Sequence, residues 1–530
     1  MSDAAARIDA LADALLARGD ITDPAWRDVL HAVPRHLFVP RAAWAATPGR
    51  PRRRIDADAD PDGWWDAVYD PSTAILTQFD DGAGDERRAP TSSLSAPDVA
   101  LPFLESLHPF GGQRVLDVGT GTGWTAAALG VRVGDRNVVS VEVDARVAAR
   151  AAANLDAAGR TPILVIGDAA TAEIAPGEAA PRDTGPGGTA PHRTAPHGTA
   201  PHGTAPHGTA PRGTGPSEPG PRDTGPSDAG PREAGPRGTA PRDTGPGEAG
   251  PREAGPGGSR PGGAGPRGSG PDSAGPGGAG PGDADSRGIG PCGAEPRSAG
   301  PGDACPGAAP AALPDGPPFD LVHVACGVTA VPAAWVAGTR PGGALALPWM
   351  PDFGYGFRVC LAVLPDGTAT GRLAGSAGYM MLRAQRGHRG TPARRWAEAA
   401  GPPRRSSTRL DPRLLVLTPG GGLAAAMAGL VPGVRADLGG DPEPTGEATL
   451  WLLDAAGPGG AWASVDYAPG RTEFEVEQAG DRDLWAEAES AFFQWLRWGR
   501  PPLHRFGLTV TPTGQHVWLD APANPLHPPR

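Results

Sequence analysis

Between residues 117 and 123 the chain reads Asp117-Val118-Gly119-Thr120-Gly121-Thr122-Gly123, three glycines at alternate positions after a short apolar run. Glycine has no Cβ and tolerates positive φ, so such a turn lets a ligand come close to the backbone. The spacing narrows the ligand. A dinucleotide fingerprint spaces its glycines by two and then three, and here both spacings are two. A phosphate loop would end in Gly-Lys and a hydroxyl residue, and no lysine follows. Glu142 and Val143 close the next apolar run, and Gly167-Asp168 closes the one after. An acid at the second of these ends can accept hydrogen bonds from both hydroxyls of a ribose.

Those residues need a scaffold that brings three strand ends together. The sequence supplies strand RVLDVG, helix WTAAALGVRV, strand NVVSVEV, helix ARVAARAAANLDAAG and strand PILVIGD. Further on come strand FDLVHVAC, a short helix VPAAWVAGT, and RPGGALALPW as turn and strand. Such alternation predicts an α/β fold, a doubly wound, mostly parallel sheet covered on both faces. Ligands of such sheets bind beyond the carboxyl ends of the strands, at the switch point.

The two halves of that pattern are separated by residues 176–314, where prolines recur every five positions in units such as PHGTA, PREAG and PRDTG. Almost no large apolar side chain occurs there, so burial cannot offset the entropy of ordering it. The segment is expected to be a disordered, partly polyproline-II-like surface insert. Long loops cost little in closure entropy, so the flanks can still join into one fold. His192, His197, His202 and His207 follow the repeat, and read as repeat copying rather than as metal ligands. No metal is expected.

Composition sets outer bounds. The chain has 530 residues, and the excess in its Gly 80 and Pro 65 is concentrated in the insert. A formal net charge of −11 argues against nucleic acid as a partner. The four cysteines, Cys292, Cys305, Cys326 and Cys360, lack zinc-like spacing and fit a reducing compartment. The N-terminal stretch has no basic-then-apolar signal pattern, and no apolar run is long enough to span a bilayer. These features predict a cytoplasmic protein with no membrane partner.

The glycine turn with Glu142 resembles the S-adenosylmethionine site of Rossmann-like class I methyltransferases. Three further segments refine this: HAVPRHLFVP (31–40), VYDPSTAILTQ (68–78) and PTSSLSAPDVALPFLESL (90–107). In this order, and with PFDLVHVACGVTAVPAAWVAGTRPGGALALP, they resemble the protein-L-isoaspartate O-methyltransferase family over roughly residues 7–173 and 317–385. The resemblance implies S-adenosyl-L-methionine as cofactor, held by Asp117, Gly119, Thr120, Gly121, Gly123, Glu142, Val143, Gly167 and Asp168. It implies Ser95 as the catalytic hydroxyl that orients an acceptor carboxylate, with Ser93 sharing the role. Both serines also read as helix N-caps ahead of DVALPFLESL. A carboxylate acceptor, ionised near neutrality, needs placement rather than a general base. Asp98 departs from the family pattern, where a His or aromatic residue is expected. It would repel a carboxylate unless it points away or selects a cationic feature of the substrate.

The parts are expected as follows: an N-terminal helical and substrate-side segment, 1–110; the methyltransferase core, 111–175 and 315–386; the insert, 176–314; a linker, 387–408; and a small α+β accessory domain, 409–530. Hairpins are read in TLWLLDAAGPGGAWASVDY and LTVTPTGQHVWLD, a strand in RTEFEVEQ, and a helix in DRDLWAEAESAFFQWLRWG. A repair enzyme of this family is a single domain. The added one resembles an actinobacterial branch that methylates an aspartate of a ribosomally made peptide, after which the next backbone nitrogen closes an aspartimide. Both peptide tailoring and isoaspartate repair stay open, the former preferred. A small-molecule methyltransferase and a non-catalytic scaffold are the alternatives of other classes.

Overall fold

A computed structural model describes residues 2–83, 89–171, 310–387 and 402–527, except 442, 444 and 458. Most of the expected insert (176–309) and much of the expected linker (388–401) lie outside the described residues, as do the four repeat histidines.

The N-terminal part begins with α1 (Ser2–Arg18), whose Ile8, Leu11, Ala12 and Leu15 form a buried stripe at helical spacing. After α2 (Trp26–Ala32) come β1 (Ala42–Ala46), β2 (Arg53–Asp56), α3 (Pro61–Tyr69), β3 (Ala74–Phe79) and β4 (Pro90–Leu94). Asp60 caps α3 by accepting from the Gly63 N–H, and Pro61 opens its first turn. The four strands form an antiparallel sheet in the order β2-β1-β3-β4. α4 (Pro97–Ser106) then leads into the main sheet.

The main sheet carries the alternation read from sequence. β5 (Val115–Val118), α5 (Trp124–Val133), β6 (Val138–Glu142), α6 (Ala145–Ala157) and β7 (Ile163–Ile166) precede the insert. β8 (Phe319–Val324), α7 (Ala333–Ala337) and β9 (Thr339–Trp349) follow it. β5 through β9 pair in parallel in the order β9-β8-β5-β6-β7, with β5 at the switch point between β8 and β6. Every residue of β5 and β6 is buried, as strands flanked and covered on both sides require. Antiparallel β10 (Gly356–Val363) and β11 (Ala369–Ala377) continue the sheet beyond β9. The fold is therefore α/β with a mostly parallel core, as expected.

The boundary residues differ from the sequence reading. Residues 310–314, assigned to the insert, are part of this core: the Ala311 N–H donates to the Asp168 carbonyl, and Ala311 and Leu313 join the main apolar cluster. Arg404–Thr408, assigned to the linker, is strand β12, paired with a later strand. It completes a five-stranded antiparallel sheet with β13 (Val434–Gly440), β14 (Ala448–Asp454), β15 (Trp462–Tyr467) and β16 (Phe474–Ala479), in the order β12-β16-β15-β14-β13. The helix Leu484–Arg497 buries Leu484, Trp485, Ala488, Ala491, Phe492 and Trp495, so most of its aromatics are core.

The last hairpin, β17 (Phe506–Thr511) and β18 (Gly514–Leu519), turns at Pro512-Thr513 and does not join that sheet. β17 pairs with β11 and extends the main sheet to nine strands. Its run of five buried residues, FGLTV, suits a strand with neighbours on both edges rather than a rim. No helix of the described residues is long and apolar enough to cross a membrane.

Candidate active site

The carboxyl ends of β5, β6 and β7 open into a cleft of about 870 Å³, its mouth included. One side of it is the turn itself. Gly119, Thr120, Gly121, Glu142, Val143, Gly167 and Asp168 all line the cleft. Gly119 (φ 89°), Gly121 (φ 57°) and Gly123 (φ 92°) are left-handed, which explains the alternation of glycines. A Cβ on Gly121 would lie 3.2 Å from the Ser93 carbonyl oxygen, so glycine there also lets β4 approach the turn.

Glu142 is aimed by the backbone. Its Oε2 accepts the Gly121 N–H at 2.9 Å and its Oε1 the Asp144 N–H at 3.1 Å. Burial pushes its carboxyl above the usual range, against the pull of those two N–H groups. Asp117 and Gly123 do not line the cleft. Gly123 is the N-cap of α5, and Asp117 is fully buried behind the turn.

Thr91 to Leu94 of β4 and Ser95 after it line the cleft too, which brings Ser93 and Ser95 to the turn. Neither hydroxyl caps α4: the N-cap is Ala96, with no side-chain bond. Ser95 is held from two directions. Its carbonyl accepts from Arg35 Nη1 at 3.0 Å, and its side chain acts on the Tyr379 phenol, pulling that group's pKa down against the effect of burial. Burial raises the Tyr379 phenol above its ordinary value, so it remains protonated at neutral pH.

Arg35 comes from the VPRHLFVP segment and is completely buried. It donates from Nε to the Val68 carbonyl at 2.9 Å and lies over the Trp124 ring at 4.7 Å. Trp124 lines the cleft and donates from Nε1 to the Val33 carbonyl. Burial lowers the guanidinium to about 9. The sequence-distant segments 33–35 and 95 are thus laced together beside the turn. Asp98 meets a cation: Arg18 Nη2 lies 2.8 Å from its Oδ2, and the Ser72 hydroxyl donates to the same oxygen at 2.6 Å. It is spoken for and does not line the cleft.

The remaining lining was not read from sequence. Met380, Met381, Leu382, Arg383 and Arg386 follow β11, and Cys326 follows β8. Arg383 and Arg386 both reach Asp81, at 2.9 Å, and Arg383 also lies 3.4 Å from Asp144 Oδ2. Asp80 and Asp81 hold left-handed backbones (φ 46° and 48°), and Arg146 donates to the Asp81 carbonyl. Asp144 is the one member with a sequence signal, an N-cap directly after Glu142 and Val143 whose carboxylate accepts from the Arg146 and Val147 N–H groups. The described residues hold no group of three or more His, Cys, Asp or Glu arranged for a metal.

The family model of protein-L-isoaspartate(D-aspartate) O-methyltransferase matches residues 83–182. A protein-L-isoaspartate O-methyltransferase of Methanoregula boonei is 31% identical over 156 residues, 29% of this chain and 56% of that protein. One of Rhizobium meliloti is 35% identical over 91 residues, 17% and 44% of the two chains. One of Syntrophotalea carbinolica is 29% identical over 142 residues, 27% and 49%. The chain spans about half the length of these curated relatives. This segment, which contains the glycine turn, Glu142 and both serines, is thus similar to the protein-L-isoaspartate O-methyltransferase family.

Proposed function

We propose that the chain is an S-adenosyl-L-methionine-dependent carboxyl O-methyltransferase acting on an aspartyl or isoaspartyl carboxylate of a peptide. The observation that carries this is the meeting of the glycine turn, Glu142 and Gly167-Asp168 in one cleft with Ser93 and Ser95. The residues present fit the cofactor: left-handed glycines leave room for it, and a buried carboxylate sits where ribose hydroxyls can donate. Bound there, the sulfonium supplies an electrophilic methyl group.

The chain's own residues do the placing. Ser95, which lines the cleft beside the Tyr379 phenol, offers its hydroxyl hydrogen to one oxygen of the acceptor carboxylate. The second oxygen is left as the nucleophile for in-line attack, and no base is required. Arg35 fixes the Ser95 backbone, so the hydroxyl has a defined origin. Cys326, the thiol in the cleft, has its pKa raised by burial and presents no thiolate to compete for the methyl group.

The methyl ester then makes methanol a leaving group, and the following backbone nitrogen closes a succinimide. Tailoring of a ribosomally made peptide is the preferred setting, in a cytoplasmic compartment. The strands and helices of residues 404–519, additional to the parallel core, support it by offering surface for a dedicated peptide. Isoaspartate repair is the second reading, supported by the names of the relatives.

The test is methyl transfer from labelled S-adenosyl-L-methionine to matched isoaspartyl and aspartyl peptides. Ser95→Ala is expected to lower kcat/KM for the acceptor by about a hundred-fold, with cofactor affinity near wild type. Rapid labelling of the isoaspartyl peptide alone would favour repair over tailoring. An unaffected Ser95→Ala enzyme would remove Ser95 from the mechanism.

A further inference from the structure

Behind the glycine turn, three neighbouring parallel strands carry a polar row at one register. His323 on β8, Asp117 on β5 and Ser140 on β6 are Cα partners across the sheet. All three are at most 1% exposed, in strands that are otherwise almost wholly apolar. His323 Nδ1 lies 2.6 Å from Asp117 Oδ1, and the Ser140 hydroxyl lies 2.7 Å from Asp117 Oδ2. Thr120, in the turn itself, places its Oγ1 2.7 Å from Ser140 Oγ.

The hydrogens in this row have only one consistent direction. A carboxylate accepts and does not donate, so His323 carries its hydrogen on Nδ1 and Ser140 donates to Asp117. The Ser140 proton is then used, and its oxygen must accept from Thr120. The Thr120 hydrogen therefore points away from the cleft that this residue lines. The row ends at His323 Nε2, which has no partner among the described residues. The backbone ties the same turn to β6: the Gly119 and Thr120 N–H groups both donate to the Val141 carbonyl. The side-chain bond is a third tether, next to the Gly121 N–H that aims Glu142.

We propose that Ser140, Asp117 and His323 are positioning residues for the cofactor turn, and that their hydrogen-bond row fixes the Thr120 hydroxyl as an acceptor toward a bound ligand. This rests on the cofactor reading above. Without the row, Thr120 is free to turn its hydrogen into the cleft, and the turn loses the tether nearest to Gly121. A ligand group set against Thr120 must then be a donor, as ammonium, hydroxyl and amine groups are.

The test uses the full chain and S-adenosylhomocysteine binding by calorimetry, with the melting temperature of each variant recorded without ligand. Ser140→Ala and His323→Leu are expected to weaken binding about ten-fold, since each leaves a buried partner unsatisfied. They should raise KM for the cofactor more than they lower kcat, and leave KM for the peptide near wild type. His323→Asn, whose amide can donate to Asp117 from the place of Nδ1, should recover most of the affinity, which a purely space-filling role would not give. If His323→Leu does not fold, Ser140→Ala, which removes a single oxygen, decides the matter. Folded Ser140→Ala protein that binds like wild type would overturn the proposal, as would an Asn variant as weak as the Leu variant. A wild-type chain that does not bind S-adenosylhomocysteine would instead sink the functional reading, and this proposal with it.

Discussion

The two sides of the cleft are assembled in different ways. The turn side is made by consecutive elements, β5 to β7, through backbone bonds and glycine conformations set within about fifty residues. The other side is gathered from Thr91–Ser95 and from Met380–Arg386, nearly three hundred positions apart, and is tied by side chains. A turn built from backbone is rigid and generic to one ligand. A side held by ion pairs and hydroxyls is more adjustable, which suits the proposed pairing of a peptide acceptor with a constant cofactor.

The sharpest way to break this contrast is at a position where the backbones of the two sides come close. Gly121→Val would force a β-branched residue into a left-handed backbone and drive its Cβ toward the Ser93 carbonyl. Cofactor affinity should fall by about a hundred-fold or more, measured by titration calorimetry. Retained binding would mean that the turn is not the rigid side.

A second substitution separates the turn's function from its stability. Because burial raises the Glu142 carboxyl, the folded chain holds that proton more tightly than the unfolded chain. The resulting stability is complete below the ordinary glutamate value and is lost as pH rises through the raised folded value. Glu142→Gln should therefore gain in melting temperature relative to wild type as pH rises across that window, while binding the cofactor about ten-fold more weakly. A pH-independent difference in melting temperature would refute the assignment.

The smallest effect belongs to the adjustable side. Asp81→Asn weakens both arginine pairs, which are partly exposed and so contribute about 1 kcal/mol or less. Acceptor KM should change by about five-fold at most, less at high salt, with cofactor binding untouched. A large loss of cofactor affinity instead would place Arg383 and Arg386 on the cofactor side.

The same contrast explains what could be read from sequence. Gly119, Gly121, Glu142 and Gly167-Asp168 were legible because each does a local backbone job at a strand end. Ser95 was legible only through resemblance, since its neighbours Arg35 and Tyr379 are long-range partners. Arg383 and Arg386 gave no signal at all: their meaning lies in Asp81, and no local pattern joins positions 302 and 305 residues apart. Asp98 looked like an obstacle because Arg18, eighty positions upstream, could not be placed beside it. Strand β12 was missed because RRSST is polar and mostly exposed, a rim strand without alternation. The hairpin of β17 and β18 was read correctly as a hairpin, but sequence alone does not say which sheet edge it will choose.

That choice has a consequence for how the protein is made. β11 emerges from the ribosome more than a hundred residues before β17, the strand that hydrogen-bonds to its outer edge. Until then the nascent core presents an open row of N–H and C=O groups, the kind of template that invites pairing with other chains. The main sheet is finished by late, distant contacts, which form slowly compared with local ones. Synthesis and folding of this chain are thus coupled through its final hairpin, and chains halted before residue 506 should be the ones that recruit chaperones or aggregate.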